Sequence, residues 1–148
     1  MSKTVEAYYR PSDGPTLLKN ADDVDALIDT VLAEPFGNSV IALYSAARPL
    51  VAAGVPDHEL RVALHAEANV GGIRYAGDDG AQEGSWYVPG QVSSREEVFY
   101  YYAGHDQGWP QDSEVTIEQV RRAAREFVSG NGARPGSFEW RAWPEAVS

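Results

Sequence analysis

Five short apolar segments follow one another in the middle of the chain, and the links between them are mostly short. We interpret them as strands over residues 39–45, 59–67, 70–77, 85–90 and 97–104. The links are rich in Gly, Asp or Pro, which favours antiparallel neighbours joined by turns. Two of the links, AEANVGG and DDGAQEGS, each predict a tight hairpin. The sequence is therefore expected to build a largely antiparallel sheet.

Two helices are predicted on either side of these strands. Asn20 can cap the first, in which apolar residues recur at 3.6-residue spacing until Pro35 and Gly37 end the pattern. Thr116 and Gln119 form the capping-box pattern that begins the second, and either Gly130 or Gly132 is expected to end it. The apolar stripe of each helix is expected to face the core.

Two outer strands complete the predicted fold. Residues 4–10 alternate in polarity before a PSDGP turn, and residues 137–143 alternate after an RPG turn. The predicted order is β-α-β-β-β-β-β-α-β. This is an α+β fold with a largely antiparallel sheet and two helices, and its length suits a single domain over residues 1–148.

The charge of the chain restricts its partners. Acidic residues number 22 against 12 Lys and Arg, which gives a net charge of −10. Such a field repels nucleic acid and anionic membrane and speeds encounter with a basic partner, although it also serves solubility. The apolar runs are too short to span a bilayer, and the first residues lack a secretory pattern. We therefore expect a cytoplasmic protein that binds neither nucleic acid nor membrane.

Motifs for chemistry are incomplete. His65 and Glu67 match half of a zinc deaminase motif, but the other half needs cysteines and the chain has none. The histidines lie in separate segments without metal-ligand spacing, so no metal or cofactor is expected. His105 and Asp106 could be an oriented base, yet no serine has the context of a nucleophile. The chain is expected not to be an enzyme.

The arginines of the second predicted helix do not form a nucleic-acid groove. Arg121, Arg122 and Arg125 alternate with Glu118 and Glu126, which is typical of a solvated helix face. Aromatic residues that could stack on bases are present, but the basic surface that must accompany them is not.

A protein-binding surface is the remaining possibility, since Tyr and Trp are enriched at interface centres and charge at their rims. The strand with Tyr100, Tyr101 and Tyr102 carries aromatic residues on both faces, so both faces are expected to be covered. We predict a contact surface formed by aromatic anchors and by acids, several of them in a loop over residues 104–114. The partner-binding candidates are Asp78, Asp79, Glu83, Trp86, Tyr87, Tyr102, His105, Asp106, Trp109, Asp112 and Glu114.

The carboxyl half has a characteristic order of segments. An aromatic strand leads to a polar loop ending P-x-x-S, a helix with alanines before Phe, then G-x-R-P and a Trp. The residues that carry this pattern are Tyr100 to Tyr102, Pro110, Ser113, Ala123, Ala124, Phe127, Gly132, Arg134, Pro135 and Trp140. The pattern resembles the first-numbered immunity-protein family of bacterial polymorphic toxin systems. The resemblance extends from about Val5 to Trp143.

The resemblance implies an antitoxin without catalytic residues. Such proteins bind a cognate toxin domain, often a nucleic-acid deaminase related to cytosine deaminase toxins of interbacterial competition, and keep it from its substrate. An acidic inhibitor would suit a toxin with a basic substrate surface. Two alternatives stay open, namely a general protein-interaction or scaffolding domain without a toxin partner, and a small hydrolase or ligand-binding enzyme that uses His105 and Asp106.

Overall fold

The computed structural model describes residues 4–10, 14–48, 50, 54, 56–78, 83–102 and 104–144. These residues form ten strands and two α-helices, which confirms the predicted α+β class. In chain order they are β1 (Val5–Tyr8), β2 (Thr16–Leu18), α1 (Ala21–Leu32), β3 (Val40–Ser45), β4 (His58–His65), β5 (Val70–Asp78), β6 (Glu83–Tyr87), β7 (Val98–Tyr102), β8 (His105–Trp109), β9 (Val115–Thr116), α2 (Ile117–Ser129) and β10 (Arg141–Ala142).

Eight of the described strands form one sheet in the order β10-β6-β5-β4-β3-β1-β2, with β9 beside the start of β5. Every pairing is antiparallel, as predicted. Strands β7 and β8 form a separate antiparallel hairpin. The sheet ends in short strands on both sides, since β2 has three residues and β10 has two.

The two helices pack on one face of the sheet, which we call the helix face. The Asn20 side chain accepts a hydrogen bond of 3.0 Å from the Asp23 N–H, so α1 begins where the cap predicts. Thr116 and Gln119 form a complete capping box at the start of α2. The core between helices and sheet is built from the predicted stripes together with the inward side chains of the strands. Its largest buried members include Ile28, Phe127, Leu43, Leu60, Ile73 and Tyr75.

The arginines of α2 do not form a solvated face, contrary to the sequence interpretation. Arg125 donates to both carboxylate oxygens of Asp25 in α1, at 2.7 and 2.9 Å. Arg121 reaches the same residue at 3.2 Å and also pairs with Asp29. Arg122 is half-exposed, and its guanidinium lies 4.4 Å from the centroid of the Phe138 ring. The sequence could not reveal these pairs because they join helices nearly a hundred residues apart.

The β7–β8 hairpin covers part of the opposite sheet face, which we call the second face. Tyr100 and Trp109 pack against Val40 and Ala63 of the sheet, with their ring centroids 5.4 Å apart. A Cβ atom at Gly72 would lie 2.7 Å from the Trp109 ring, so the absence of a side chain at this position leaves room for the indole. The structure thus confirms that the inner side of the tyrosine strand is covered, and the cover is this chain's own sheet.

The outer side of the same strand is covered less completely. Tyr101 lies edge-on to Phe36 of the short 3₁₀ turn after α1, with centroids 5.2 Å apart. The Ser39 N–H donates to the Tyr101 carbonyl, and the Tyr101 N–H donates to Ser39 Oγ, both at 2.9 Å. These bonds attach the hairpin to the sheet near the start of β3.

Four details of the predicted element order are wrong. Strands β2, β8 and β9 were not predicted, and the last strand is limited to Arg141–Ala142. The supposed loop over residues 104–114 contains β8, whose polar sequence HDQGW has little strand propensity and which forms by pairing with β7. Main-chain pairing to the aromatic strand outweighs the local preference.

Candidate partner-binding surface

Three of the four predicted aromatic anchors are buried in the protein itself. Trp86, Tyr87 and Trp109 retain 9%, 3% and 4% of their exposure. Trp86 packs in the helix-face core, whereas Trp109 lies between the hairpin and the sheet. Tyr102 is half-buried and keeps an accessible edge. Side chains that are already enclosed offer little area to a partner, so these three have packing roles in the free protein.

Two of the predicted acids hold the structure together. Asp112 accepts a hydrogen bond of 2.7 Å from the Tyr87 hydroxyl and pairs with Arg141. Glu114 accepts from Ser93 Oγ at 2.7 Å and from Arg95 Nη2 at 2.9 Å. These carboxylates anchor the segments before β7 and after β8.

The other predicted contact residues are exposed, and they lie on two segments. Asp78 and Glu83 face each other at the far end of the β5–β6 pair. His105 and Asp106 begin β8. Asp79 lies outside the described residues. The alternation of a strand directs neighbouring side chains to opposite sides, so His105 and Asp106 do not form an oriented pair.

The surface charge is negative because most of the cations already form ion pairs within the chain. Most described arginines lie within 4 Å of a carboxylate, as in the Arg10–Glu34 and Arg48–Asp57 pairs. Several exposed carboxylates have no ion pair among the described residues. They are Asp22, Glu67, Glu83, Glu96, Glu97, Asp106 and Glu139. The excess acid is therefore displayed to solvent.

The hairpin leaves part of the second face open, and no described element packs over it. We call this part the open sheet face. It consists of Tyr8, Tyr44, Glu59, Arg61, Arg74, Ala76, Ser85, Tyr102 and Trp143, all half-buried. Arg61 and Arg74 are directly opposite each other on β4 and β5. Sequence reasoning missed this surface, although alternate polar residues in β4 and β5 are a sign of a wet sheet face.

Aromatic rings hold the cations of the open sheet face in place. The Arg74 guanidinium lies 3.9 Å from the centroid of the Trp143 ring, and Nε donates to Ser85 Oγ at 3.0 Å. The Arg61 guanidinium lies 5.5 Å from the Tyr102 ring. Burial and the neighbouring charge of Arg61 lower the pKa of Arg74, because both disfavour its cation.

Glu59 is the carboxylate of the open sheet face, and Tyr44 and Arg61 share it. The Tyr44 hydroxyl donates to it, and Arg61 Nη2 donates at 3.0 Å. Burial, together with the charge of Glu59, raises the pKa of Tyr44 and keeps its hydroxyl protonated. Arg61 Nε is 3.0 Å from Glu59 Oε1, yet it is buried without a hydrogen-bond partner among the described residues.

An aspartate–histidine pair that the sequence analysis did not identify joins the half-buried Asp57 to the buried His58. Asp57 Oδ1 is 3.0 Å from His58 Nδ1, while His58 Nε2 accepts the backbone N–H of Ser45 at 2.8 Å. The ring also stacks on Phe127. Since Nε2 is occupied by a backbone donor, His58 cannot take a proton from a substrate in this arrangement. It is a structural residue.

His65 ends β4 immediately before the hairpin turn, as predicted. It packs against Phe36, with ring centroids 4.4 Å apart, and its Nδ1 accepts the Ala68 N–H at 3.3 Å. No group of three or more potential metal-ligating side chains exists among the described residues. In the same part of the chain, no helix is long and apolar enough to cross a membrane.

The fold and the charge distribution define a small acidic α+β domain with a single large antiparallel sheet. The family model of Imm1, described as "Immunity protein Imm1", matches residues 12–142. The chain therefore belongs to the Imm1 family of immunity proteins. No curated protein matches the chain at a significant level.

Proposed function

We propose that this immunity protein neutralises a toxin domain that deaminates nucleic acid, by binding it and covering its substrate surface. The toxin is expected to be basic where it holds the phosphate backbone. The proposal is carried by the exposed carboxylates that have no ion pair among the described residues. They give the antitoxin a negative electrostatic field like that of a nucleic-acid substrate. It acts in the cytoplasm as a single domain, by occlusion and without catalysis.

The exposed candidates are the contact residues we retain. Tyr102, His105 and Asp106 lie at the turn end of the β7–β8 hairpin, and Asp78 and Glu83 lie at the far end of β5 and β6. Each is accessible at least in part in the free protein. The buried Trp86, Tyr87 and Trp109 are expected to support this surface from below.

A growth experiment tests the antitoxin role. Toxin domains encoded in the same genome are expressed one at a time, with or without this chain. We expect one of them to stop growth alone and to permit growth with the chain, and the two proteins to co-purify in equal amounts. Failure to protect against, or to bind, any of these domains would overturn the antitoxin proposal.

A biochemical assay tests the deaminase assignment. The purified toxin that the chain binds is incubated with single-stranded DNA and RNA oligonucleotides, and conversion of cytosine to uracil or of adenine to hypoxanthine is measured. We expect deamination that one equivalent of the chain abolishes, more effectively at low salt than at high salt. A bound toxin with another chemistry would refute the deaminase assignment alone.

A further inference from the structure

The open sheet face is a cationic spot in an acidic protein. Arg61 and Arg74 are cross-strand neighbours, and Glu59 is the carboxylate nearest to them. That carboxylate is already shared between Arg61 and the Tyr44 hydroxyl. Arg74 meets a hydroxyl and an indole, and no carboxylate of the described residues lies within ion-pair distance of it. Positive charge therefore exceeds negative charge at this point.

The surroundings of this spot have the composition of an interface centre. Tyr8, Tyr44, Tyr102 and Trp143 surround the cations, and Tyr, Trp and Arg are the residues most enriched among binding hot spots. Their side chains are held by the sheet and by one another; for example, the rings of Tyr8 and Tyr44 lie 6.0 Å apart, edge to face. Binding would thus cost little side-chain entropy.

A rim of acids lies beyond the aromatic residues. Glu6 lies on β1 opposite Tyr44, and Glu83 begins β6 two residues before Ser85. Alternation along each strand places both on the second face. The charge pattern is therefore positive at the centre and negative outside. Its complement is a basic protein surface with an acidic side chain at its middle.

We propose that the toxin docks on the open sheet face and places an aspartate or glutamate side chain beside Arg61 and Arg74. This inference rests on the proposed function, since it assigns the surface by which the antitoxin binds. A guanidinium fork matches a carboxylate with two parallel hydrogen bonds. Within the described residues Arg74 donates only through Nε, which leaves its terminal nitrogens available for such a pair. Burial of this pair under the toxin would set the register of the complex.

The test uses the toxin domain that the unaltered full-length chain binds in the growth experiment, inactivated at its catalytic centre. Ala76 lies on the open sheet face between Glu59 and Ser85. The Ala76→Trp variant adds bulk there without removing an interaction, and Arg74→Glu reverses the central charge. Matched controls are Ala26→Trp and Arg122→Glu, both at exposed positions on the helices.

Calorimetric titration is expected to show at least tenfold weaker binding for both open-face variants and less than twofold change for the controls. A toxin variant with one acid replaced by arginine should restore binding to Arg74→Glu. If Ala76→Trp melts like the unaltered chain and binds equally well, the docking inference is wrong while the antitoxin role stands. A free dimer that Ala76→Trp dissociates would also overturn it, since the face would then serve self-association.

Discussion

The backbone N–H of Ser45 donates a hydrogen bond of 2.8 Å to Nε2 of His58. His58 is 4% exposed, so this bond is made in a nearly dry core. Nδ1 faces Asp57, which assigns the proton to Nδ1 and leaves Nε2 as the acceptor. A second proton on this ring would sit on Nε2 and abolish the bond to Ser45. The Nε2–H and the Ser45 N–H would then face each other as two buried donors.

Stability is therefore expected to fall on mild acidification. Burial and the charge of Arg48 lower the pKa of His58, despite the opposing effect of Asp57. A histidine whose folded pKa lies below its unfolded value contributes its full stability above about pH 6.5, and this stability is lost as the pH falls from there through the lowered folded pKa. Urea unfolding at pH 7.5 and at pH 5.5 should show the decrease.

Substitution of each histidine in turn separates the contribution of His58 to the pH dependence of stability from those of the other two. His58→Gln should be less stable at pH 7.5 by about 1–3 kcal/mol and should show a weaker dependence on pH. Burial also lowers the pKa of His65, so His65→Gln should remove part of the same dependence. The exposed His105→Gln is the control. An undiminished pH dependence in His58→Gln would contradict the assignment.

Glu114 and Asp106 are expected to respond differently to loss of their charge. Glu114 accepts bonds from Ser93 and Arg95, so Glu114→Gln should lower the free energy of unfolding by about 1–3 kcal/mol. Asp106 is exposed and has no ion pair among the described residues, so Asp106→Lys should leave stability within about 0.5 kcal/mol. Asp106→Lys should instead slow association with the toxin. Equal melting temperatures for the two variants would show that Glu114 is not an anchor.

Gly72 is expected to tolerate no side chain. An added Cβ would lie 2.7 Å from the ring of Trp109, which the hairpin holds against the sheet. Gly72→Ala should therefore cost about 1–3 kcal/mol in chemical unfolding. Gly37→Ala is the matched control, since no atom lies within 4 Å of a Cβ added there. A neutral Gly72→Ala would mean that the hairpin moves away from the sheet easily.

The pairing of α1 with α2 should depend on salt. Burial raises the pKa of Asp25, but hydrogen bonds from Arg125 and Arg121 outweigh it and the net change is a decrease. The carboxylate is partly exposed, so Asp25→Asn should cost only about 0.5–1 kcal/mol. The cost should shrink in 1 M NaCl, because screening then acts over about 3 Å. Glu67→Gln, which alters an exposed acid that forms no ion pair with the described residues, should show neither effect.

Local signals accounted for the helices. The Asn20 cap and the Thr116–Gln119 box act within four residues, so their geometry can be predicted from a short segment. Strand β8 could not be predicted in this way. Its residues have no apolar alternation, and they extend because Val98–Tyr102 supplies a partner for their backbone groups.

The candidate surface was harder to predict for a related reason. In a strand, Trp and Tyr are equally suited to a core and to an interface, and Trp86 and Trp109 proved to be core. The juxtaposition of Arg61 and Arg74 depends on the register of β4 against β5. A shift of one residue would direct their side chains to the helix face.

The short edges of the large sheet have a consequence for the protein at high concentration. Unpaired backbone groups at an edge can recruit a strand from another molecule, which is a common route to aggregation. Strand β2 offers three residues and β10 offers two, too few to template a stable added strand. The described edges of this sheet therefore offer little template for growth from molecule to molecule, so the free chain is expected to stay dispersed at high concentration.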